Sequence, residues 1–237
     1  MLWLIGGTQE SREIAAAIAS FPLPYIVTVA TEAAKRLYPS NTPVLARRLQ
    51  AAEMVAFLRE RGVTAVVDAS HPFAVEVSRG AIAACRTDNI PYLRYERPSS
   101  LTAIQERNPQ TAIALPSFDA LLAGSYLENQ RAFLTVGCNA LPRFKPWQTR
   151  ATLFARILPA VNSLTMALNA GFAPERIIAL RPPISSQLEA ALWQQWHISL
   201  VVMKASGKAG GEEMKRSLAA QLGIPAIVIA RPAIAYP

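Results

Sequence analysis

Asp68-Ala69-Ser70-His71-Pro72-Phe73-Ala74 sets an acid, a hydroxyl and an imidazole close together at the end of the apolar run Thr64–Val67. In an open parallel sheet, ligands bind beyond the carboxyl ends of the strands, so a polar cluster there reads as a binding feature. Pro72 suits the first position of a helix, which would leave Ser70 or His71 near the cap with donors pointing outward. A single histidine is more often structural than catalytic, and no partner for a hydrolytic triad is legible nearby. His71 is therefore assigned to binding, and no residue is assigned a catalytic role. Arg94-Tyr95-Glu96-Arg97-Pro98 follows the next strand-like run and offers two guanidinium groups, the side chain best suited to gripping a carboxylate with two hydrogen bonds. Surface pairing of Arg94 and Arg97 with Glu96 or Glu106, which contributes little, is the alternative.

Three further stretches have the composition of ligand loops. Gly6-Gly7-Thr8-Gln9-Glu10 lies between a first strand and a first helix, where glycine lets the main chain approach a pyrophosphate and the helix start supplies N–H donors. It departs from the GxGxxG pattern because no glycine follows Gly7, and a tight turn without a ligand is the competing reading. Thr31-Glu32 ends the second strand, roughly twenty residues on, where dinucleotide folds place the group that reads the adenosine ribose. Glu32 suits the hydroxyls of NADH, Lys35 and Arg36 offset its repulsion of a 2′-phosphate, and helix capping by Thr31 is the plain alternative. Lys204-Ala205-Ser206-Gly207-Lys208-Ala209-Gly210-Gly211 links a strand to a helix; it is not a Walker phosphate loop, but a glycine loop at a helix start can hold a carboxylate or phosphate.

These stretches need elements to hold them at strand ends, and the apolar pattern supplies them. Strands are expected at Leu2–Ile5, Tyr25–Ala30, Pro43–Ala46, Thr64–Val67 and Tyr92–Tyr95, alternating with helices at Glu10–Ser20, up to Leu37, Ala51–Arg61 and up to Thr87. The second half repeats the style, with strands at Ala132–Val136, Leu153–Ile157, Arg176–Leu180, His197–Met203 and Pro225–Ala230 and helices at Ser117–Leu122, Leu164–Ala170, Gln187–Gln195 and Glu212–Gln221. Alternation with continuously apolar strands implies parallel sheets covered on both faces. Arg97–Pro116 reads as a loop. The expected fold is thus α/β: two Rossmann-like domains with parallel sheets and an intervening cleft, a dinucleotide-binding domain over residues 1–110 and a substrate-binding domain over 111–237.

Composition narrows the function classes. The 237 residues are 51% hydrophobic, enough for packed cores, and no uninterrupted apolar run approaches the ~18 residues that nominate a membrane span. The N-terminal Met1–Ile5 lacks the basic flank of a signal peptide, so a soluble, cytoplasmic protein is expected. Cys85 and Cys138 are too few to complete a zinc site, and no metal is expected. A net charge of +8 attracts anionic partners, but the basic residues are scattered and form no stripe that would track a phosphate backbone. Neither nucleic acid nor membrane is expected as a partner; oligomeric state is left open.

Taken together, Gly6–Glu10, Asp68–Ala74, Arg94–Pro98 and Lys204–Gly211, followed by Lys215 and Leu222-Gly223-Ile224-Pro225, resemble in order and spacing the precorrin-6A reductases of cobalamin biosynthesis, including the cobalt-precorrin-6A form. The resemblance spans nearly the whole chain. It implies NADPH or NADH as cofactor, a tetrapyrrole substrate fringed with acetate and propionate groups, and reduction of one ring double bond by hydride from the nicotinamide. Carried over by motif, it implies Gly6, Gly7 and Thr8 for the dinucleotide and Ser70, His71, Arg94, Arg97, Lys204 and Lys208 lining the cleft; with the residues read from position, the expected site is Gly6, Gly7, Thr8, Glu10, Thr31, Glu32 and Ser70 for the dinucleotide, and His71, Arg94, Arg97, Lys204, Ser206, Gly207 and Lys208 for the substrate. Leu101–Leu115 departs from the family pattern in lacking a tryptophan, and Ser70 stands where threonine is commoner. Competing readings are a short-chain dehydrogenase or epimerase, against which no Tyr and Lys occur at YxxxK spacing, and a non-catalytic NAD(P)-sensing module.

Overall fold

A computed structural model describes residues 1–98 and 112–237. By internal contacts the chain divides into two compact units, Met1–Arg97 with Pro232–Pro237, and Pro98–Arg231. The boundary expected near residue 110, the alternative partner Glu106 and most of Leu101–Leu115 lie outside the described residues. The last residues, grouped with the second domain on chain order, belong instead to the first unit. Nothing local in that tail signals the return: Tyr236 finds its place by a tertiary contact, its ring 5.7 Å from the Arg94 guanidinium.

In the first unit β1 (Leu2–Ile5), β2 (Tyr25–Val29), β3 (Val44–Ala46), β4 (Ala65–Asp68) and β5 (Tyr92–Arg94) form one sheet in the order β3-β2-β1-β4-β5. Every pairing is parallel. Strand residues point alternately to opposite faces, and both faces here are covered, which is why the strands read as unbroken apolar runs. Trp3 and Ile5 pack with Met54, Phe57, Leu58 and Val66 on one face, while Leu4 packs with Ala15, Val27, Val29 and Tyr38 on the other. The four helices are α1 (Gln9–Ile18), α2 (Glu32–Lys35), α3 (Ala51–Glu60) and α4 (Val75–Thr87). Thr8 caps α1 through a reciprocal pair with Ser11: its hydroxyl accepts from the Ser11 amide at 3.1 Å, and Ser11 Oγ accepts from the Thr8 amide at 3.0 Å.

The second unit holds β6 (Ala112–Leu115), β7 (Arg131–Thr135), β8 (Thr152–Ile157), β9 (Ile177–Ala179), β10 (Leu200–Lys204) and β11 (Ala226–Ile229) in the order β6-β11-β10-β7-β8-β9, again parallel throughout. Among the described residues its α-helices are α5 (Phe118–Ala123), α6 (Val161–Asn169), α7 (Ser186–Gln195) and α8 (Glu212–Gln221). Phe133, Phe154, Trp193, Val201, Met203 and Leu218 form its core.

Three expectations change. β6 lies in what reads as a loop: Ala112-Ile113-Ala114-Leu115 has little β-branched density and becomes a strand only by pairing with β11 at the sheet edge. Cys138–Trp147, given no structure from sequence, is a 3-10 helix that contains Pro142 and Pro146, residues that argue against an α-helix. Finally, α4 starts at Val75, so Pro72 is not its first residue. The Ser70 amide donates to Asp68 Oδ1 at 2.9 Å and the Ala74 amide to the His71 carbonyl at 2.7 Å, which hold residues 68–74 as successive turns before the helix begins.

Candidate functional site

The chain order of the first sheet reverses between β1 and β4, and their carboxyl ends bring Gly6–Thr8 beside Asp68–Ser70. The Thr8 hydroxyl donates to the Ala69 carbonyl at 2.8 Å and ties the two strand ends together. Gly6 is packed from below: a Cβ there would meet the Tyr38 hydroxyl and come within 2.9 Å of Val27 Cγ1. Tyr38 is held by Ser11 Oγ at 2.5 Å and accepts from the Gly7 amide at 2.9 Å. Gly7 has φ +100°, a conformation that costs any side-chain-bearing residue, and a Cβ on it would point into open space with no atom within 4 Å. A main chain bare on one side, leading into the first turn of α1, leaves the amides of Gln9 and Glu10 without intrahelical acceptors. This arrangement fits an anion such as a pyrophosphate.

Asp68 is the hub beside that turn. It is fully buried, and its carboxylate accepts from the Ser70 amide, from Ser78 Oγ at 2.6 Å, from the Tyr92 hydroxyl at 2.6 Å and from Arg94 Nη1 at 2.9 Å. Burial first, and then the Asp68 charge, push the Tyr92 phenol far above its ordinary range, so it stays a donor. Arg94 also donates to Ser70 Oγ at 3.1 Å and to Glu96 at 2.9 Å, and its side chain is 6% exposed. Burial works against its charge, but Asp68 and Glu96 outweigh it and hold the guanidinium above its ordinary pKa. Arg97 pairs with Glu10 at 2.7 Å. Both arginines are thus engaged inside the first unit: Glu96, its side chain 39% exposed, pairs with Arg94 at the surface as the sequence alternative had it, while the other side of the same guanidinium is held by buried Asp68.

The sequence-assigned residues Gly6, Gly7, Thr8, Glu10, Ser70, Arg94 and Arg97 are therefore brought together at one sheet edge. His71 follows directly; its Nδ1 accepts from the Phe73 amide at 3.2 Å, so the neutral ring carries its proton on Nε2. Thr31 and Glu32 stand one strand away at the end of β2. Thr31 caps α2 by accepting from the Ala34 amide at 3.2 Å, and Glu32, its side chain 77% exposed, lies 3.7 Å from Lys35. Asp68, Tyr38 and Tyr92 were given no role from sequence. An acid closing a wholly apolar strand was the available sign for Asp68; the tyrosines carry none.

The second sheet has its own reversal, between β7 and β10, and the glycine loop sits there. The Gly207 amide donates to buried Glu212 at 2.8 Å, Ser206 lies beneath Gly210, and Lys208 is exposed at the start of the 3-10 turn Lys208–Gly210. Lys204 Nζ lies 3.8 Å from where a Cβ on Gly137 would be. Its pKa is lowered to about 8 by burial, with Cys138 acting in the opposite sense. Lys215, 2% exposed, donates to Thr135 Oγ1 at 3.2 Å. Its pKa is lowered to about 7 by burial first, then by Arg156 and Lys204, with Glu212 opposing. Spacing gives the sign for its burial, since Lys215 shares a helical face with Leu218, Ala219 and Leu222. Among the described residues no group of three or more His, Cys, Asp or Glu side chains could hold a metal ion, and no helix is long and apolar enough to cross a membrane.

Between about pH 7 and about pH 10.5 the unfolded chain holds the Lys215 proton and the folded chain does not, so folding stability rises with pH across that window. Urea unfolding of the protein and of Lys215→Met at about pH 6 and about pH 9 should show the variant's advantage shrinking on the alkaline side by an amount on the order of a few kcal/mol.

Two parallel sheets, the first in the order β3-β2-β1-β4-β5 with a glycine turn at its reversal, define an α/β protein of two doubly wound units. The model of the family described as Precorrin-6x reductase CbiJ/CobK matches residues 1–237, and the chain belongs to that family. It is accordingly an oxidoreductase of cobalamin biosynthesis. It is 42% identical over 236 residues to a cobalt-precorrin-6A reductase of Synechocystis sp., covering 98% of this chain and 88% of the relative. With the cobalt-precorrin-6A reductase of Salmonella typhimurium it shares 34% over 230 residues, covering 97% and 86%. The solved structure described as CobK precorrin-6A reductase superposes with a TM-score of 0.81 at 27% identity, covering 99% of this chain and 89% of that one.

Proposed function

We propose that the chain catalyses the NADPH- or NADH-dependent reduction of precorrin-6A, or of cobalt-precorrin-6A, to the corresponding precorrin-6B, with hydride delivered to a ring carbon of the tetrapyrrole. The observation that carries the cofactor assignment is the turn at Gly7, open on one side and backed by the start of α1, at the reversal of a β3-β2-β1-β4-β5 sheet. When bound there, a reduced nicotinamide supplies the hydride. Gly6, Gly7 and Thr8 hold the pyrophosphate with the first-turn amides, and Thr8 keeps the two strand ends in register through Ala69. Glu10 acts by fixing Arg97, and Ser70 is fixed by Arg94. Thr31 and Glu32 stand at the strand end that reads the adenosine ribose.

For the substrate, His71 donates from Nε2, and Arg94 and Arg97, largely buried and already paired with Asp68 and Glu10, shape the same strand-end wall. Lys204, Ser206, Gly207 and Lys208 in the second unit receive carboxylates of the macrocycle. The first unit is assigned to the dinucleotide and the second to the substrate. The contribution of the protein is chiefly orientation, which converts a bimolecular transfer into a positioned one, and no side chain acts as a nucleophile. Both cysteines are free thiols, and burial pushes Cys85 up to about 11, consistent with work in the reducing cytoplasm. Purified protein mixed with NADH or NADPH and with metal-free or cobalt-loaded substrate should change the macrocycle's absorbance with at least one pairing. A chromophore unchanged in every pairing would overturn the assignment.

A further inference from the structure

Helix α4 of the first unit carries two cations that its own acids leave alone. Arg79 and Arg86 lie two helical turns apart, about 10 Å along the axis, and both are exposed. The acids that stand near them in sequence are turned to other partners. Glu76, one turn before Arg79, pairs with Arg48 at 2.7 Å, and Asp88, just past Arg86, takes Arg59 with both carboxylate oxygens. Among the described residues neither the Arg79 nor the Arg86 guanidinium has a carboxylate or another acceptor. A single exposed arginine is ordinarily just solvated. What sets this pair apart is the ground between them. Ile82 and Ala83 fill the interval on α4, and the returning tail, Ala233-Ile234-Ala235, forms the opposite wall of a groove of about 630 Å³. Apart from the two arginines its lining is wholly apolar, and no acid reaches it. Every lining residue belongs to the first unit, and none comes from Gly6–Thr8 or from residues 68–71, so the groove is separate from the strand-end site.

We propose that this groove docks an acidic segment of a partner protein, one in which an apolar side chain lies between two carboxylates about 10 Å apart. Charge complementarity selects the occupant: each arginine can take a carboxylate with two hydrogen bonds, and the apolar floor between them takes the intervening side chain. An extended chain covers about 10 Å in three residues, so two glutamates with two residues between them match the spacing of the arginines. A nucleic-acid strand is the poorer fit, because its phosphates follow one another without a break and call for a continuous cationic track. Here the track is interrupted by Ile82 and Ala83. The net charge of +8 draws an acidic partner in from a distance, and the two arginines set its register on α4. Arg79 and Arg86 are interaction residues and take no part in the reduction; the groove does not rest on the function proposed above.

The probe is the peptide acetyl-Glu-Leu-Ala-Glu-amide, titrated into the full-length 15N-labelled protein while backbone amide shifts are followed. Shifts should concentrate on residues 79–86 and 233–235. Combining Arg79→Gln with Arg86→Gln should weaken binding about tenfold, as the loss of two exposed ion pairs implies, and leave thermal unfolding unchanged. A peptide with serine in place of leucine should bind about fivefold more weakly, because the floor then covers no apolar side chain. Shifts scattered over other basic surfaces, equal binding of the serine peptide, or affinity untouched by the double substitution would each overturn the proposal. So would an oligothymidylate that moves the same amides further than the peptide does, which would give the groove to nucleic acid. Reduced turnover of the macrocycle in the double variant would give it to the substrate and overturn the partner assignment as well.

Discussion

Replacing Asp68 with alanine is expected to destabilise the first unit by about 3–5 kcal/mol, because it removes one partner of a buried ion pair and leaves the Arg94 guanidinium with only the partly exposed Glu96 as counter-charge. The loss spreads further, since Ser78, Tyr92 and the Ser70 amide all donate to the same carboxylate. Asp68→Asn keeps the shape and some of the acceptors and should cost less. A chain of two units need not unfold in one step, so amide hydrogen exchange resolved by segment is the appropriate measurement. Protection should fall in β1, β4 and β5 and remain in β7, β8 and β10. Protection unchanged in the first sheet would mean that Asp68 is not the hub described above.

Gly7→Ala is expected to weaken dinucleotide binding on the order of a hundredfold while leaving the first unit folded, an effect equivalent to about 2.7 kcal/mol. Part comes from forcing an alanine to hold φ +100°, and part from a methyl group placed where the pyrophosphate must approach. Gly6→Ala provides the contrast. Its new Cβ would press on Tyr38 and Val27 from inside the turn, so it should lower stability as well as affinity. Titration of dinucleotide by fluorescence, beside thermal unfolding of both variants, separates the two effects. Equal affinity in Gly7→Ala and the unaltered protein would remove the glycine turn from the cofactor site.

The sheets were largely legible because burial on both faces writes a parallel strand as a continuous apolar run, and Leu2–Ile5 and Ala226–Ile229 are such runs. The loops at Gly6–Thr8, Asp68–Ser70 and Lys204–Gly211 were legible for a related reason: polar residues and glycine directly after such a run mark a strand end. What stayed hidden depends on residues distant in sequence. Arg97 finds Glu10 across 87 positions, so no local pattern distinguishes it from a surface arginine. The pairing of β6 with β11, the return of Tyr236 to the first unit and the selection of Tyr38 to support Gly7 are equally tertiary. Lys215 stands between these cases. Its helical spacing announces burial, but its hydrogen bond to the neutral Thr135 hydroxyl emerges only from the packed structure.

The measurement that reaches the centre of this account uses nicotinamide dinucleotide deuterated stereospecifically at C4, incubated with the protein and the unreduced macrocycle, followed by isotope analysis of the product. Deuterium from one face of the nicotinamide should appear at the reduced ring carbon, with none from the opposite face. Product formed without label, or labelled equally from both faces, would contradict direct transfer from a cofactor held in one orientation.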